Sequence, residues 1–316
     1  MQRKQLFKFG LLFFALTLAL TGCGESNSFD QMPADSGEEV TGEEKPGASG
    51  SLMIAGSDSE VNLVTRLAEE YMNANANVSI AVTGGGSGVG ISSLIDGDID
   101  IANSSRPLKD EEVDAHNTNR GEEVFAVRFA VDGVAVVVHQ DNLVDELTVD
   151  QIGAIYRGDI TNWSEVGGSD LPVTLYGRQS TSGTYVFFME SVVKADYSPE
   201  MRNLAGTSDI VEAVAGDIGG IGYAAIGYAD REGIKALAVA ADNNTEAFLP
   251  TIIENVTSGN YPLTRPLYQF VTGKPDGAIL DFLLFETGSE GEAIVLEEGF
   301  YPITEADRDF NRAALE

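Results

Sequence analysis

The sequence is poor in the side chains that most often carry out catalysis or bind metals. Its 316 residues include one cysteine and two histidines. A single thiol cannot form a disulfide within the chain, and His116 and His139 lie in different segments, which argues against a histidine-rich metal site. Neither histidine has a nucleophile motif near it, and Ser87 lacks the Gly-x-Ser-x-Gly frame of a nucleophile elbow. We therefore predict no enzymatic activity, no metal site and no cofactor.

Basic residues are also scarce. The 19 lysines and arginines stand against 50 acidic residues, which gives a formal net charge of −31. Such a surface repels nucleic acid, so no nucleic-acid partner is expected. It also repels anions at long range, but salt limits that repulsion to about 10 Å. An anion site in this chain would therefore have to rely on local hydrogen-bond donors.

The N-terminal residues, in contrast, have the features of a targeting signal. Three basic residues within the first eight precede an apolar run from Gly10 to Leu20, which is too short to span a bilayer as a helix. The run ends in Leu20-Thr21-Gly22-Cys23, which resembles a bacterial lipobox, where the peptidase cuts before the cysteine and the thiol is diacylated. We predict a lipoprotein signal peptide over residues 1–22 and a lipid on Cys23 that anchors the chain to a membrane.

The segment after the cysteine differs in composition from the rest of the chain. Residues 23–50 are rich in serine, glycine, proline and acidic residues. Their few apolar side chains cannot offset the entropy cost of ordering the backbone. This composition predicts a disordered acidic tether between the lipid and a folded part.

The remaining residues alternate between strand and helix patterns. Ser51–Gly56, Val78–Val82 and Ile99–Ala102 are short apolar runs that predict strands. Between them, Asn62–Asn73 has helical spacing of its apolar residues, and a further helix is predicted to start in Ile91–Ile95. This order predicts an α/β fold with a parallel sheet flanked by helices. In such sheets, ligands lie beyond the carboxyl ends of the strands.

The same style continues after one long apolar segment. Val124 to Val138 is predicted to cross between two lobes. The elements predicted beyond it are strands in Val173–Tyr176, Ile218–Ile226, Ala236–Ala240 and Leu267–Val271, and helices in Tyr185–Val193, Ala278–Phe285 and Glu290–Glu297.

Four loops combine hydroxyl side chains with glycine or arginine at the predicted strand-to-helix junctions. Helix N termini expose unpaired N–H groups and a partial positive charge, and serine, threonine and arginine add further donors. Each loop alone is equally consistent with an ordinary helix cap, but four together predict a cage for an anion. These loops are Gly56–Ser59, Gly86–Gly88, Asn103–Arg106 and Arg178–Thr184.

Three longer segments carry a family resemblance, namely Asp100–Leu108, Ile155–Trp163 and Arg178–Thr184. Through them the chain resembles the phosphate-binding proteins of bacterial phosphate ABC transporters, a branch of the type II periplasmic binding protein fold. The resemblance runs from about Leu52 to Ile303, and Pro262–Tyr268 is similar to the family's return crossing between lobes.

The resemblance implies a two-lobed α/β fold with the ligand cleft between the lobes. Lobe 1 is expected to comprise residues 51–137 plus 263–316, and lobe 2 residues 138–262, with hinges near 138 and 262. It also implies the function. We expect an extracytoplasmic lipoprotein, monomeric and facing the periplasm or the exterior, that captures inorganic phosphate and delivers it to the transmembrane subunits of an ABC permease.

The predicted ligand residues come from all four loops: Ser57, Asp58, Ser59, Ser87, Ser105, Arg106, Arg178, Ser182, Gly183 and Thr184. Some family members carry, where this chain has Ser105, an aspartate that accepts a proton from bound phosphate. We hypothesise that Asp58 supplies that carboxylate here and would repel sulfate, which has no proton to give. The alternative is that Asp58 simply caps a helix.

Three other functions stay open at this point. The ligand could be another oxyanion, such as sulfate, molybdate or a phosphonate. The chain could also be a phosphate-sensing lipoprotein without a transporter, since one fold serves many functions. An envelope phosphoesterase is the weakest alternative, because the sequence offers few metal ligands and no nucleophile paired with a base.

Overall fold

The computed structural model describes residues 49–316, which belong to one compact unit. The signal peptide predicted for residues 1–22 and the lipid predicted on Cys23 lie outside the described residues, as does most of the tether predicted for residues 23–50. Within the described part of the chain, no helix combines the length and the apolar composition that crossing a membrane requires.

Short strands alternate with helices along the whole of the described chain. The strands are β1 Gly50–Gly56, β2 Val78–Thr83, β3 Ile101–Ser104, β4 Val124–Gly133, β5 Ala135–His139, β6 Glu146–Thr148, β7 Thr174–Arg178, β8 Arg202–Leu204, β9 Gly220–Ala224, β10 Ile234–Ala236, β11 Ala238–Ala240, β12 Ala247–Phe248 and β13 Thr264–Thr272. The α-helices are α1 Val61–Ala74, α2 Ser87–Asp96, α3 Asp110–Arg120, α4 Val149–Arg157, α5 Gly183–Phe188, α6 Thr207–Ala215, α7 Ile253–Thr257, α8 Gly277–Glu286, α9 Ser289–Glu297 and α10 Glu305–Leu315.

The first sheet has five strands in the order β2-β1-β3-β13-β4. Strands β2, β1 and β3 run parallel, so their carboxyl ends meet at one edge of the sheet. Strand β13 returns from the distant end of the sequence and pairs antiparallel with both β3 and β4. Its register places Gln269 opposite Asn103, which itself lies opposite Gly56 of β1.

The second sheet also has five strands, in the order β10-β5-β9-β7-β8. Strand β7 pairs parallel with β8 and β9, whereas β5 pairs antiparallel with β9 and β10. A small third sheet contains β12, β11 and β6. The α/β fold class predicted from the sequence is confirmed, and both large sheets are mixed, not purely parallel.

The long apolar segment predicted to cross between lobes is two strands that belong to different sheets. β4 ends at Gly133 in the first sheet and β5 begins at Ala135 in the second. Val134 lies between them with no exposed surface, and its N–H donates to the carbonyl of Leu263 at 2.8 Å, just before β13 begins. The two chain crossings therefore lie side by side.

Two of the helices that the sequence did not predict, α3 and α10, lack the usual apolar stripe. Helix α3 reads DEEVDAHNTNR, and its one buried residue is His116. Helix α10 is similarly polar and begins at the capping residue Thr304, whose hydroxyl accepts a hydrogen bond from the Asp307 N–H. Because helix prediction from a single sequence rests mainly on apolar periodicity, such helices escape it. Helices α4 and α6, which also had no prediction, do bury apolar residues.

Two predicted elements are divided in the structure. The helix predicted over Tyr185–Val193 begins at Gly183, and its second half, Met189–Val193, is a π-helical turn. The single strand predicted over Ala236–Ala240 is two strands, β10 and β11, separated by Leu237. Leu237 still donates to the Val136 carbonyl of β5 at 2.8 Å, and after it the chain leaves the second sheet and joins the third.

Candidate functional site

Three serine hydroxyls meet at the carboxyl edge of the first sheet. Ser57 follows β1, Ser87 opens α2 and Ser105 follows β3, and all three are at most 2% exposed. The Ser57 hydroxyl donates to Ser105 Oγ at 3.1 Å, and the Ser105 backbone N–H donates to Ser87 Oγ at 3.1 Å. Their proximity follows from the register, because parallel neighbours β1 and β3 end at the same edge.

The loop that opens α5 reaches this cluster from the second sheet. A Cβ atom added to Gly183 would lie 2.7 Å from Ser105 Oγ and closer still to Ser87 Oγ, so only glycine fits here. The next residue, Thr184, has its hydroxyl oxygen 2.7 Å from the hydroxyl oxygen of Ser59 in the first loop. The loop is also held through its backbone, since the Gly88 N–H donates to the Thr181 carbonyl at 2.9 Å. Segments from both sheets are thus in direct contact.

Ser182 has a different part in this loop. It precedes α5 as its N-cap, and its hydroxyl accepts a hydrogen bond from the Tyr185 N–H at 3.3 Å. It is 2% exposed. The structure therefore places Ser182 next to the contact made by Gly183, with its oxygen engaged by its own helix.

Asp58 and Arg178 form an ion pair across the two sheets. Arg178 is the last residue of β7, and its side chain is 1% exposed. Asp58 lies in the loop after β1, with 18% of its side chain exposed. The second carboxylate oxygen of Asp58 accepts the Gly85 N–H at 2.8 Å. Arg178 also donates from Nη1 to Thr207 Oγ1 at 2.9 Å, while its Nε is buried without an acceptor within residues 49–316. The pair is ionic and each carboxylate oxygen keeps further acceptor capacity.

The Arg106 side chain binds Glu112 and makes no hydrogen bond to these serines within the described residues. Its guanidinium makes two hydrogen bonds of 2.7 Å to the two carboxylate oxygens of Glu112 in α3. Burial raises the pKa of the Glu112 carboxyl, but the hydrogen bonds from Arg106 and from the Lys109 N–H outweigh it and lower that pKa below its usual value. Arg106 thus ties the third loop to α3, and its role as a ligand stays a prediction.

The arginine that does contact the serine cluster is Arg265, near the start of β13. Its Nη1 donates to the Ser105 carbonyl at 3.1 Å, and its Nη2 donates to Thr184 Oγ1 at 2.9 Å. Asp132 of β4 accepts from Nε at 3.1 Å and from Nη2 at 2.8 Å, and the two side chains are 3% and 0% exposed.

Sequence reasoning missed Arg265 and Asp132 as site residues, although a signal was present. Asp132 is the one acidic residue between Val124 and His139, an otherwise strongly apolar stretch. A carboxylate inside a buried strand needs a partner of opposite charge, and Arg265, in the segment predicted as the return crossing, was a candidate.

A second buried polar cluster lies behind the first loop. Gln269 Nε2 donates to Asn103 Oδ1 and to Glu286 Oε1, both at 3.2 Å. Glu60 and Glu286 have no exposed surface, and burial raises the pKa of both carboxyls well above the usual value. Both Glu60 oxygens and one Glu286 oxygen lack a hydrogen-bond partner within the described residues. Burial therefore favours the neutral, protonated form of both side chains.

The hydrogen-bond directions around the serines suit an anion. Ser87 Oγ accepts from a backbone N–H, and Ser105 Oγ accepts from the Ser57 hydroxyl. Because these oxygens already accept a hydrogen bond, their own hydrogens are free to be donated. An oxyanion needs donors only, and clustered hydroxyl and amide donors bind one without a net positive charge.

Comparison with known proteins gives close relatives over nearly the whole chain. The PBP superfamily domain matches residues 41–290. The chain is 32% identical over 309 residues to the phosphate-binding protein PstS of Pseudomonas aeruginosa, covering 92% of this chain and 94% of that protein. It is 30% identical over 305 residues to the phosphate-binding protein PstS of Bacillus subtilis, covering 95% of this chain and 96% of that relative.

Solved structures agree with these relatives. A candidate phosphate ABC transporter substrate-binding protein from Clostridium perfringens, solved with bound phosphate, superposes with a TM-score of 0.73 at 31% identity, covering 81% of this chain and all (100%) of that one. An ABC-type phosphate transport receptor from Vibrio cholerae gives a TM-score of 0.64 at 29% identity, covering 80% of this chain and 100% of that one.

Proposed function

The chain belongs to the PBP superfamily and, within it, to the family of the phosphate-binding proteins PstS, and from that premise we propose that it captures inorganic phosphate and delivers it to an ABC permease. The prediction that it is not an enzyme is confirmed by the family, whose named members are binding proteins. The phosphate would lie where the loops of both sheets meet, beside Ser57, Ser87, Ser105 and Gly183.

One observation carries this proposal. Ser87 and Ser105 are almost fully buried, and each oxygen already accepts a hydrogen bond from another part of the chain. The two oxygens are 3.4 Å apart, so at most one of their hydrogens is donated between them, and the other remains for an anion beside Gly183. Hydrogen bonds to a charged group contribute about 1.5–3 kcal/mol each, so a few of them support micromolar binding despite the chain's negative charge.

The test is calorimetric titration of the purified full chain with phosphate, arsenate, sulfate and molybdate. We expect saturable binding of phosphate and no heat from sulfate. Ser87→Ala should weaken phosphate binding by about tenfold or more, since it removes one charge-assisted donor. Ser92→Ala is the matched control, because Ser92 is an exposed serine on the same helix. Equal affinities for the two variants would contradict the proposed position of the anion.

Asp58 is proposed to recognise the proton of HPO₄²⁻. Its two oxygens accept from Gly85 and Arg178, and each keeps acceptor capacity for a P–OH hydrogen. Sulfate has no proton to donate and would be repelled. Asp58→Asn should therefore narrow the difference between phosphate and sulfate affinity. Unchanged affinities for both anions would leave Asp58 with no discriminating role.

We also propose that the chain acts outside the cytoplasm as a lipid-anchored monomer. The supporting features are the lipobox-like residues before Cys23 and the acidic tether after it. Cys23→Ser should move the protein from the membrane fraction to the soluble fraction without changing phosphate affinity. Size-exclusion chromatography with light scattering of this variant should give the mass of one chain.

A further inference from the structure

The ion pair Arg265–Asp132 makes hydrogen bonds to three separate segments around the site. Arg265 donates to the Ser105 carbonyl at the edge of the first sheet and to Thr184 Oγ1 in the loop from the second sheet. Asp132 accepts the Ile226 N–H at 2.9 Å, two residues after β9 of the second sheet. Both partners lie on strands of the first sheet that lead directly into the two chain crossings.

We propose that Arg265 is a positioning residue for the anion site: it holds the loops of the two sheets together and fixes the Thr184 hydroxyl as a hydrogen-bond donor. This inference rests on the proposed function. It assigns a role to a residue that does not have to touch the phosphate itself.

The donor argument follows from the chemistry of the guanidinium. Arginine has five N–H donors and no acceptor, so Thr184 Oγ1, at 2.9 Å from Nη2, must accept that bond. The Thr184 hydrogen is then directed away from Arg265, towards the Ser59 oxygen at 2.7 Å or towards an anion. If Thr184 donates to Ser59, the Ser59 hydrogen becomes available in turn. In either arrangement neither hydroxyl can donate to Arg265, so one hydroxyl hydrogen of the Ser59–Thr184 pair is left for the anion.

Asp132 fixes the guanidinium in the orientation that this requires. Its Oδ2 accepts from Nε and Nη2 of Arg265, and Nη2 is the same nitrogen that donates to Thr184. The Arg265 guanidinium also lies 5.1 Å from the centre of the Phe187 ring in α5. With both charged side chains almost fully buried, this orientation of the guanidinium makes four hydrogen bonds at once, two to Asp132 and one each to Ser105 and Thr184.

The experiment is a double-mutant cycle on phosphate affinity, measured by calorimetry on the full chain. Its variants are Arg265→Lys, Thr184→Val and the double variant. Lysine keeps the charge but loses the planar fork. We expect each single variant to weaken phosphate binding by about tenfold or more, and the double variant to lose little beyond the larger single loss, because both act through one hydroxyl.

The control is Arg128→Lys, which changes another arginine of the first sheet; its side chain pairs with Asp307 at 2.9 Å and makes no hydrogen bond to the serine cluster within the described residues. It should leave phosphate affinity unchanged. If Arg265 acted only on stability, one of two results would follow. The fold-loss in phosphate affinity of the double variant would equal the product of the two single fold-losses, or Arg265→Lys would bind phosphate as tightly as the original chain. Either result overturns the inference.

The outcomes also separate this inference from the proposed function. If the original chain does not bind phosphate, the proposed function fails and the inference falls with it. If the original chain binds phosphate but the losses multiply, only the inference fails. Should Arg265→Lys not fold, Asp132→Asn replaces it in the cycle, since it keeps the side-chain volume and loosens the same guanidinium. The phosphate affinities should then show that Asp132→Asn and Thr184→Val are coupled. If their losses of affinity simply multiply, the inference is wrong.

Discussion

Two pairs of ionisable residues are buried behind the candidate site, and they are satisfied in opposite ways. In Arg265–Asp132, all three guanidinium nitrogens donate to oxygen acceptors and both Asp132 oxygens accept hydrogen bonds. In Glu60 and Glu286, three of the four carboxyl oxygens lack a partner within residues 49–316. All four side chains are at most 3% exposed.

The difference shows how this protein tolerates buried ionisable groups. An ionised group can be buried when an opposite charge and enough hydrogen bonds replace its water. Glu60 and Glu286 form no ion pair within the described residues, and the attraction of Glu60 to Arg265 is opposed by the nearby Asp132. Burial favours the neutral form of both acids, and a charge on Glu60 would further disfavour the ionisation of Glu286.

The largest effect is expected from breaking the satisfied pair. Asp132→Ala leaves the Arg265 guanidinium buried without its carboxylate, which should cost about 3–5 kcal/mol of the free energy of unfolding. Urea denaturation followed by the fluorescence of Trp163, the one tryptophan and 1% exposed, measures it. The control is Asp159→Ala, whose partner Arg157 is 32% exposed and whose own side chain is 60% exposed. That variant should lose at most about 1 kcal/mol, and equal losses would contradict the comparison.

Replacing an unpaired acid should instead increase the free energy of unfolding. In the unfolded chain Glu60 ionises near its ordinary pKa, whereas burial raises its pKa in the folded protein. The folded state therefore binds more protons between these two pKa values, and the free energy of unfolding falls as pH rises through that window. The slope is about 1.4 kcal/mol per pH unit for one fully titrating group. Glu60→Gln should be more stable than the original chain at neutral pH.

The measurement is the free energy of unfolding of both chains from pH 5 to pH 8. The difference between them should widen with rising pH, because only the original chain has to protonate Glu60 in order to fold. Taking the difference removes the contributions of carboxyls with lowered pKa values, such as Glu112 and Asp307, which both chains share. A constant difference would mean that Glu60 is ionised in the folded state.

The sequence predicted the strands, helices and loops around these buried residues, but it did not predict which residues pair. The first β–α–β unit was predicted within a residue or two of β1, α1 and β2, because apolar runs and helical spacing are local signals. The Gly-Ser loops were local signals too, and the structure brings Ser57, Ser87 and Ser105 together.

Contacts between residues far apart in the sequence could not be predicted from such local signals. The arginine expected beside Ser105 was its neighbour Arg106, which the structure pairs with Glu112. The arginine that binds the Ser105 carbonyl is Arg265, 160 residues away. Its position depends on the antiparallel pairing of β13 with β3 and β4, and composition and periodicity do not determine strand order.

A smaller effect is expected from Glu286, the second acid. It keeps one hydrogen bond, from Gln269 Nε2, so at pH 8 Glu286→Gln should be more stable than the original chain by less than Glu60→Gln is. Protonated carboxyls carry no charge and do not repel each other, so the double variant should gain about the sum of the two single gains. Unfolding free energies of the four chains measure this. A gain clearly below the sum would mean that the two carboxyls repel each other and that at least one is ionised in the folded state.

The smallest effect is expected where neither burial nor desolvation acts. Arg66 and Glu70 form an ion pair one turn apart on α1, with 41% and 36% of their side chains exposed. Water already solvates both charges, and the arginine precedes the glutamate, which is the less favourable order along a helix. A double-mutant cycle with alanine should give a coupling of about 0.3 kcal/mol at low salt. At about 1 M salt, where charges are screened beyond about 3 Å, that coupling should vanish, whereas the loss caused by Asp132→Ala should persist. If both responded to salt alike, burial would not be what separates the Arg265–Asp132 pair from an ordinary surface pair.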